Sequence, residues 1–311
     1  MNTKNTSKTN EFGRFDFVGK VGLFGGISLA LTVLSLVYLM VAGITYGIDF
    51  KGGTEIQIKF AQPTHIDEVR TAMTKLDLGD LGVQSLEGNE FIIRFQGKAG
   101  KTDKETNEML NASIVKLKET VASDLSSKGP DFRRVDTVGP QVGAELKRNG
   151  FLAVFYCLLV ILLYVALRFD YKFSPGAVIC LFHDAVITLA IFNLVGKEVN
   201  VPILAAIMTL IGFSLNDTIV VFDRIRETEG LYREKGIGFV INKSINDMLG
   251  RTIITSGTTL VSALCLFIFA DGVVSDIAFA LTIGILFGTY SSIYVAAPIV
   301  MYMDKLKAVK A

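Results

Sequence analysis

Six long apolar runs constrain this chain more than any other feature. Four carry no charged side chain, over residues 21–48, 149–167, 252–270 and 277–303, and each reaches the ~18 residues that a membrane-spanning helix needs. Two more, 173–196 and 199–222, qualify once one internal acid is tolerated in each, Asp184 in the first and Asp217 in the second. Inside a bilayer a helix satisfies its own backbone hydrogen bonds, so the expected fold class is a polytopic α-helical membrane protein with six transmembrane helices.

Short loops set the orientation. Lys and Arg number fifteen across the N-terminal tail, the 168–173 and 223–252 loops and the C-terminal tail, whereas 196–202 and 271–276 hold only Lys197. The positive-inside rule then puts both termini in the cytoplasm. The expected layout is a cytoplasmic tail 1–20, a first helix 21–48 and an outward domain 49–148. Helices two to six follow over 149–303, with an amphipathic cytoplasmic segment at about 224–250, and a cytoplasmic tail 304–311 closes the chain. The first run is too long for a cleavable signal sequence and reads as an uncleaved anchor. In the amphipathic segment Ile237, Val240, Ile241, Ile245, Met248 and Leu249 form a stripe suited to lying along the membrane surface.

The formal net charge of +1 says little, and no basic patch points to nucleic acid. Cys157, Cys180 and Cys265 all fall inside predicted spans, where they read as small core or lipid-facing residues. No disulfide, metal site or cofactor is expected.

Residues 49–148 hold 15 basic and 16 acidic side chains, the balance of a soluble domain. "GTEIQIKFA" alternates as a half-buried strand, with Ile56, Ile58 and Phe60 on one face. "THIDEVRTAMTKL" reads as a helix capped by Thr64, with Ile66, Val69, Met73 and Leu76 on one side. "VQSLE" and "EFIIRF" form a hairpin turned by Gly88 and Asn89. A second helix over about 103–125 aligns Leu110, Ile114, Leu117 and Val121, and "DFRRVDTV" supplies a last strand. This βαββαβ order is the ferredoxin-like α+β pattern, placed outside the cytoplasm. His65 has no nucleophile or metal-ligand partner nearby in sequence, so a surface or capping role is expected of it.

Chemistry is expected inside the membrane. An ionised Asp at a helix centre costs about 2.5–3.5 kcal/mol on insertion scales, so such a residue faces a bundle interior or a wet cavity. Asp217 lies six residues from Asp223, about 9 Å below the cytoplasmic end of its helix, and Asp184 lies ten residues from Ser174, about 15 Å deep. Helices three and four are antiparallel neighbours, so the two acids can line one crevice. Asn216 adds a second polar side chain beside Asp217, and His183 beside Asp184 reads as an interhelical hydrogen-bond donor. Arg251, Thr255, Thr258 and Ser262 share one stripe on helix five, and Ser214, Asp217 and Arg224 another on helix four. Pairing of Asp217 with Arg251 when ionised, and release when protonated, would couple a proton to helix movement. The bland reading has Arg251 snorkelling to headgroups and the hydroxyls bonding their own helix carbonyls. Gly284 and Gly288 make a small-residue face for close helix packing.

Five motifs in order carry a family resemblance: "YGIDFKGGTEI", "VGPQVGAELKRNG", "RFDYKFSPGAVICLFHDAVITL", "SLNDTIVVFDRIRE" and "RTIITSGTTL". Together they resemble the SecD/SecF family of protein-export membrane subunits, on its SecF side. The resemblance implies a half-unit akin to resistance-nodulation-division transporters, set in the bacterial inner membrane. It also implies partnership with SecD, the SecYEG channel and YajC, secreted chains as clients, and use of the proton gradient late in export. It maps proton passage onto Asp217 and Arg251, and the family's glycine signature onto Gly52 and Gly53. A chain of this layout is expected to be a separate subunit needing SecD.

Three other readings compete. A proton-driven half-transporter for small hydrophobic molecules would use the same acids, although drug-exporting relatives have far larger outward domains. An intramembrane aspartyl protease would need a GxG before its acid, where Asp217 has "SLN". A passive scaffold would leave Asp217 without a task.

Overall fold

The computed structural model describes residues 13–76, 78–79, 81–97, 103–169 and 172–310. Residues 1–12 of the expected N-terminal tail, 170–171 of the 168–173 loop and 311 lie outside the described residues. In chain order the elements begin with α1 (Val21–Ala42), a single turn α2 (Ile48–Lys51), β1 (Gly53–Phe60) and α3 (Ile66–Thr74). They continue with β2 (Leu81–Leu86), β3 (Glu90–Phe95), α4 (Asp103–Asp124) and β4 (Pro130–Val138). The remainder is α5 (Pro140–Arg168), α6 (Ser174–Leu194), α7 (Val201–Tyr232), α8 (Ile237–Phe269), α9 (Gly272–Ser291), a π-helical turn (Ser292–Ala296) and α10 (Ala297–Lys310).

Six stretches among the described residues are long and apolar enough to cross a membrane: α1, α5, α6, α7, α8, and α9 running through to α10. They are not equivalent. The most apolar window is 56% buried in α6 and 50% in α7, against 11% in α1 and 6% in α5. The two helices that carry the buried acids therefore form the centre of the bundle, and α1 and α5 lie at its periphery.

Helix ends depart from the apolar runs at several places. The first run continues to Ile48, but the helix stops at Ala42 because Gly43 takes φ +73°, a conformation that closes the last turn with its N–H on the Leu39 carbonyl at 3.1 Å. Helix α5 begins at Pro140, nine residues before the uncharged run, since proline at the first position is already set for a helix. The segment expected to lie along the surface at about 224–250 is divided between the end of α7, which runs on to Tyr232, and the N-terminal part of α8, a continuous helix of 33 residues. Val240, Ile241 and Ile245 are buried in the bundle core, so packing within the bundle takes up the apolar stripe.

The sheet has the order β2-β3-β1-β4, with every neighbouring pair antiparallel. One face packs into a core in which Ile56, Ile58, Ile93, Val69, Met73 and Leu117 are all fully buried. The hairpin turn follows from Gly88 at φ +70° and Asn89 at φ +65°, the conformation that short hairpins require. Asn89 also donates to the Phe60 carbonyl at 2.7 Å, tying the turn to the end of β1. Thr64 does not cap α3. Its hydroxyl donates to the Gln62 carbonyl at 2.9 Å, and His65 takes the cap position with no side-chain bond.

Gly52 and Gly53 join the membrane part to this domain. They sit at φ +75° and +137°; a Cβ on Gly52 would lie 2.9 Å from Pro140 Cα, and one on Gly53 2.8 Å from the Phe95 carbonyl oxygen. Replacing Gly53 by Ala is expected to cost about 2 kcal/mol or more, from a backbone region closed to other residues and from the clash. Thermal unfolding of the detergent-solubilised protein measures it. Gly250→Ala, with nothing within 4 Å of the added carbon, is the control and should be neutral or mildly stabilising.

Candidate functional site

Asp184 is fully buried near the middle of α6. Its Oδ2 accepts from Ser214 Oγ of α7 at 2.5 Å and from Ser291 Oγ of α9 at 2.9 Å, while His183 Nδ1 lies 2.8 Å from Oδ1. Cys180, one turn earlier on α6, completes the shell: its thiol donates to Ser291 Oγ at 3.0 Å and lies 3.6 Å from Thr218 Oγ1. Close approach of α9 makes this possible. A Cβ on Gly288 would sit 3.2 Å from Ser214 Cβ and 3.5 Å from Asp184 Oδ2, and Gly284 leaves room for Leu210. The small-residue face of α9 thus packs on α7, as its spacing suggests.

His183 is buried but does not bridge helices, because its Nδ1 is taken by the neighbouring acid on its own helix. Among the described residues its Nε2 has no hydrogen-bond partner, and the ring stands edge-on to Phe287 at 6.5 Å.

Asp217 is 3% exposed and turns to another neighbour. Its Oδ2 accepts from Ser256 Oγ of α8 at 2.7 Å. Ser214 and Thr218 face α6, whereas Asp217 faces α8, so the expected stripe of Ser214, Asp217 and Arg224 divides between partners. Arg224 pairs with Asp247 of α8 at 2.5 Å and with Glu227 at 2.8 Å. The two acids therefore have separate hydroxyl partners on opposite sides of α7.

Arg251 starts the membrane part of α8 on its exposed side, close enough to attract the Asp217 carboxylate but in no ion pair with it. Thr255, Thr258 and Ser262 donate to the carbonyls of Arg251, Ile254 and Thr258, one turn back. They serve their own helix. The buried side of α8 is shifted by one residue, to Thr252 and Ser256. Asn216 is exposed, on a face of α7 that also carries Ala205, Thr209 and Gly212.

On the far side of the membrane part, the polar face of the sheet overhangs the α6–α7 and α8–α9 connections, enclosing a cleft of about 730 Å³. Arg94 of β3 bonds Glu55 of β1 at 2.6 Å and reaches Glu198 of the α6–α7 connection at 3.4 Å. Burial pushes the Glu198 carboxyl above the ordinary carboxylate range, against the pull of Arg94.

Comparison with known proteins gives this geometry a family. The SecD/SecF GG motif matches residues 37–64, around Gly52 and Gly53, and the family described as protein export membrane protein SecD/SecF, C-terminal, matches residues 103–306. The chain belongs to the SecD/SecF family. Relatives named protein translocase subunit SecF are similar along most of their length. The one from Calditerrivibrio nitroreducens is 42% identical over 94% of this chain and 95% of its own. The one from Magnetococcus marinus is 41% identical over 93% and 92%. Among solved structures, the crystal structure of SecDF from Thermus thermophilus, a translocon-associated membrane protein, superposes with a TM-score of 0.83 at 32% identity. That match covers 97% of this chain and 40% of the SecDF chain, so the present chain spans about two fifths of that longer protein. The SecD/SecF glycine pair falls where α2 gives way to β1 and the start of α5 leaves no room for a Cβ on Gly52.

Sequence periodicity missed Ser256, Ser291 and Cys180 as members of this site. Cys180 was legible, being four residues from Asp184 on one helical face. Ser256 was not, because the rotation of α8 about its axis is set by packing.

Proposed function

We propose that this chain is the SecF-type accessory subunit of the Sec protein translocase. With SecD it uses the proton gradient to promote late steps of export of secreted chains through SecYEG, with YajC in the same assembly. The observation that carries the reading is Asp217, buried at the α7–α8 contact, held by the Ser256 hydroxyl and attracted by the nearby Arg251 guanidinium. One charge crossing 100 mV supplies about 2.3 kcal/mol. That matches the roughly 1.5–3 kcal/mol of a hydrogen bond to a charged acceptor, so one proton is of the size needed to exchange the partners of this carboxylate.

In this reading Asp217 carries the proton, Arg251 is its counter-charge in the ionised state, and Ser256 holds it between transfers. Asp184, His183 and Asn216 belong to the same relay. The protein lies in the bacterial inner membrane with both termini cytoplasmic, and the four-stranded domain, read as ferredoxin-like from its βαββαβ order, stands on the outer side. SecD docks along the exposed face of α7, where Ala205, Thr209, Gly212 and Asn216 replace the large apolar side chains that α5 presents to lipid.

Deletion of the chain from cells tests the reading. Accumulation of unexported precursors is expected. Drug sensitivity with normal export would instead support the half-transporter. For the docking face, Gly212→Leu is expected to reduce co-purification of SecD severalfold, whereas Leu159→Phe on the exposed side of α5 should leave it unchanged.

A further inference from the structure

The connection between α6 and α7, residues 195–200, joins the outer ends of the two helices that hold Asp184 and Asp217. It is clamped on one side and charged on the other. Val199 N–H donates to the Thr45 carbonyl and its own carbonyl accepts from Gly47 N–H, both at 2.8 Å. Asn193, in the last turn of α6, accepts from Thr45 N–H at 2.8 Å and donates to the Gly43 carbonyl at 2.9 Å. Asp49 Oδ2 accepts from Val201 N–H at 2.9 Å, at the first residue of α7. The outer ends of both acid-bearing helices are therefore stitched to the linker that leads from α1 into β1.

Glu198 extends from this connection to the middle of the polar sheet face. There Arg94 is shared between two bodies: Glu55 at 2.6 Å and Gln84 at 3.1 Å belong to the sheet, and Glu198 at 3.4 Å belongs to the helical part. The other charged groups acting on Glu198 are Glu55, Lys51 of α2 and Asp276 of α9, and Asp276 is engaged by Lys197. Among the described residues Arg94 is the basic side chain of the sheet in direct ion contact with the α6–α7 connection. A shift of α6 against α7 carries Glu198 with it and must pull on, or release, the sheet through Arg94.

We infer that the Arg94–Glu198 pair is the positioning contact through which movement of α6 and α7 is delivered to the four-stranded domain. The inference rests on the proposed coupling for its purpose, but its geometry can be tested alone. Spin labels at Ser85→Cys on β2 and Asp271→Cys just before α9, in a chain whose accessible Cys157 and Cys265 are replaced while the buried Cys180 is kept, report the distance across the cleft in the complex with SecD. The expected result is a single narrow distribution, broadened in both Glu198→Gln and Arg94→Gln and no broader in the double variant. Gradient-dependent export should fall severalfold in each single variant and no further in the double, with gradient-independent export unchanged. Arg134→Gln, on the same sheet but paired with Asp136, should do neither. Distributions that stay narrow in both single variants, or export losses that add in the double, overturn the inference. Broadening without any gradient dependence of wild-type export would uphold the contact and sink the proposed function.

Discussion

Asp217→Asn is expected to reduce export to the level of a strain lacking the chain, while the protein still accumulates and assembles normally. Asparagine keeps the size of the side chain and an oxygen that can accept from Ser256, so the α7–α8 contact survives. It cannot change charge. Ser256→Ala separates the two functions of the site, because it leaves the titrating group and removes its one hydroxyl partner. A hydrogen bond to a charged acceptor is worth about 1.5–3 kcal/mol, so export in Ser256→Ala should fall roughly tenfold or more and not to zero. Pulse-chase of an exported precursor measures both. A passive scaffold predicts that neither change matters.

Asp184→Ala should act on stability first. The carboxylate takes hydroxyl donors from α7 and α9 and touches His183 and Cys180, so its removal strands buried polar groups on three helices. Each stranded group costs about 1–3 kcal/mol, and the cavity adds to it. A total loss of about 3 kcal/mol or more is expected, read as a lower midpoint in thermal unfolding in detergent. Ser291 has a second acceptor in the Gly288 carbonyl, at 3.0 Å, so its hydroxyl stays bonded in Asp184→Ala. Asp184→Asn, which keeps acceptor and shape, should lose only about 1 kcal/mol. If Asp184→Ala unfolds like wild type, the hydroxyl shell around it is not holding the bundle together.

How much of this was legible in the sequence depends on the range of the contacts. Apolar runs set by the bilayer gave the six long helices, and period-two and helical spacing gave the strands and helices of the four-stranded domain with their buried faces. The turn at Gly88 and Asn89 follows from local backbone chemistry. Helix ends were less legible, since the fate of 43–48 depends on pairing with Val199, about 150 residues away, which no local pattern encodes. Asp184 and Asp217 were visible as misplaced charges, but their partners were not. Ser214 and Ser256 are ordinary helix residues until packing turns one to α6 and α7 turns the acid beside it to α8. Arg94 and Glu198 read as solvated charges in sequence, and only the fold brings them together.

The most direct test of proton coupling through Asp217 uses energised membrane vesicles carrying this chain, SecD and the channel. Release of a secretory protein is followed with the proton gradient intact and collapsed, in wild type and in Asp217→Asn at equal assembly. Wild type should lose a large part of its release when the gradient is collapsed, and Asp217→Asn should release at that collapsed level under both conditions. Gradient-dependent release that persists unchanged in Asp217→Asn would contradict a role for this carboxylate in coupling.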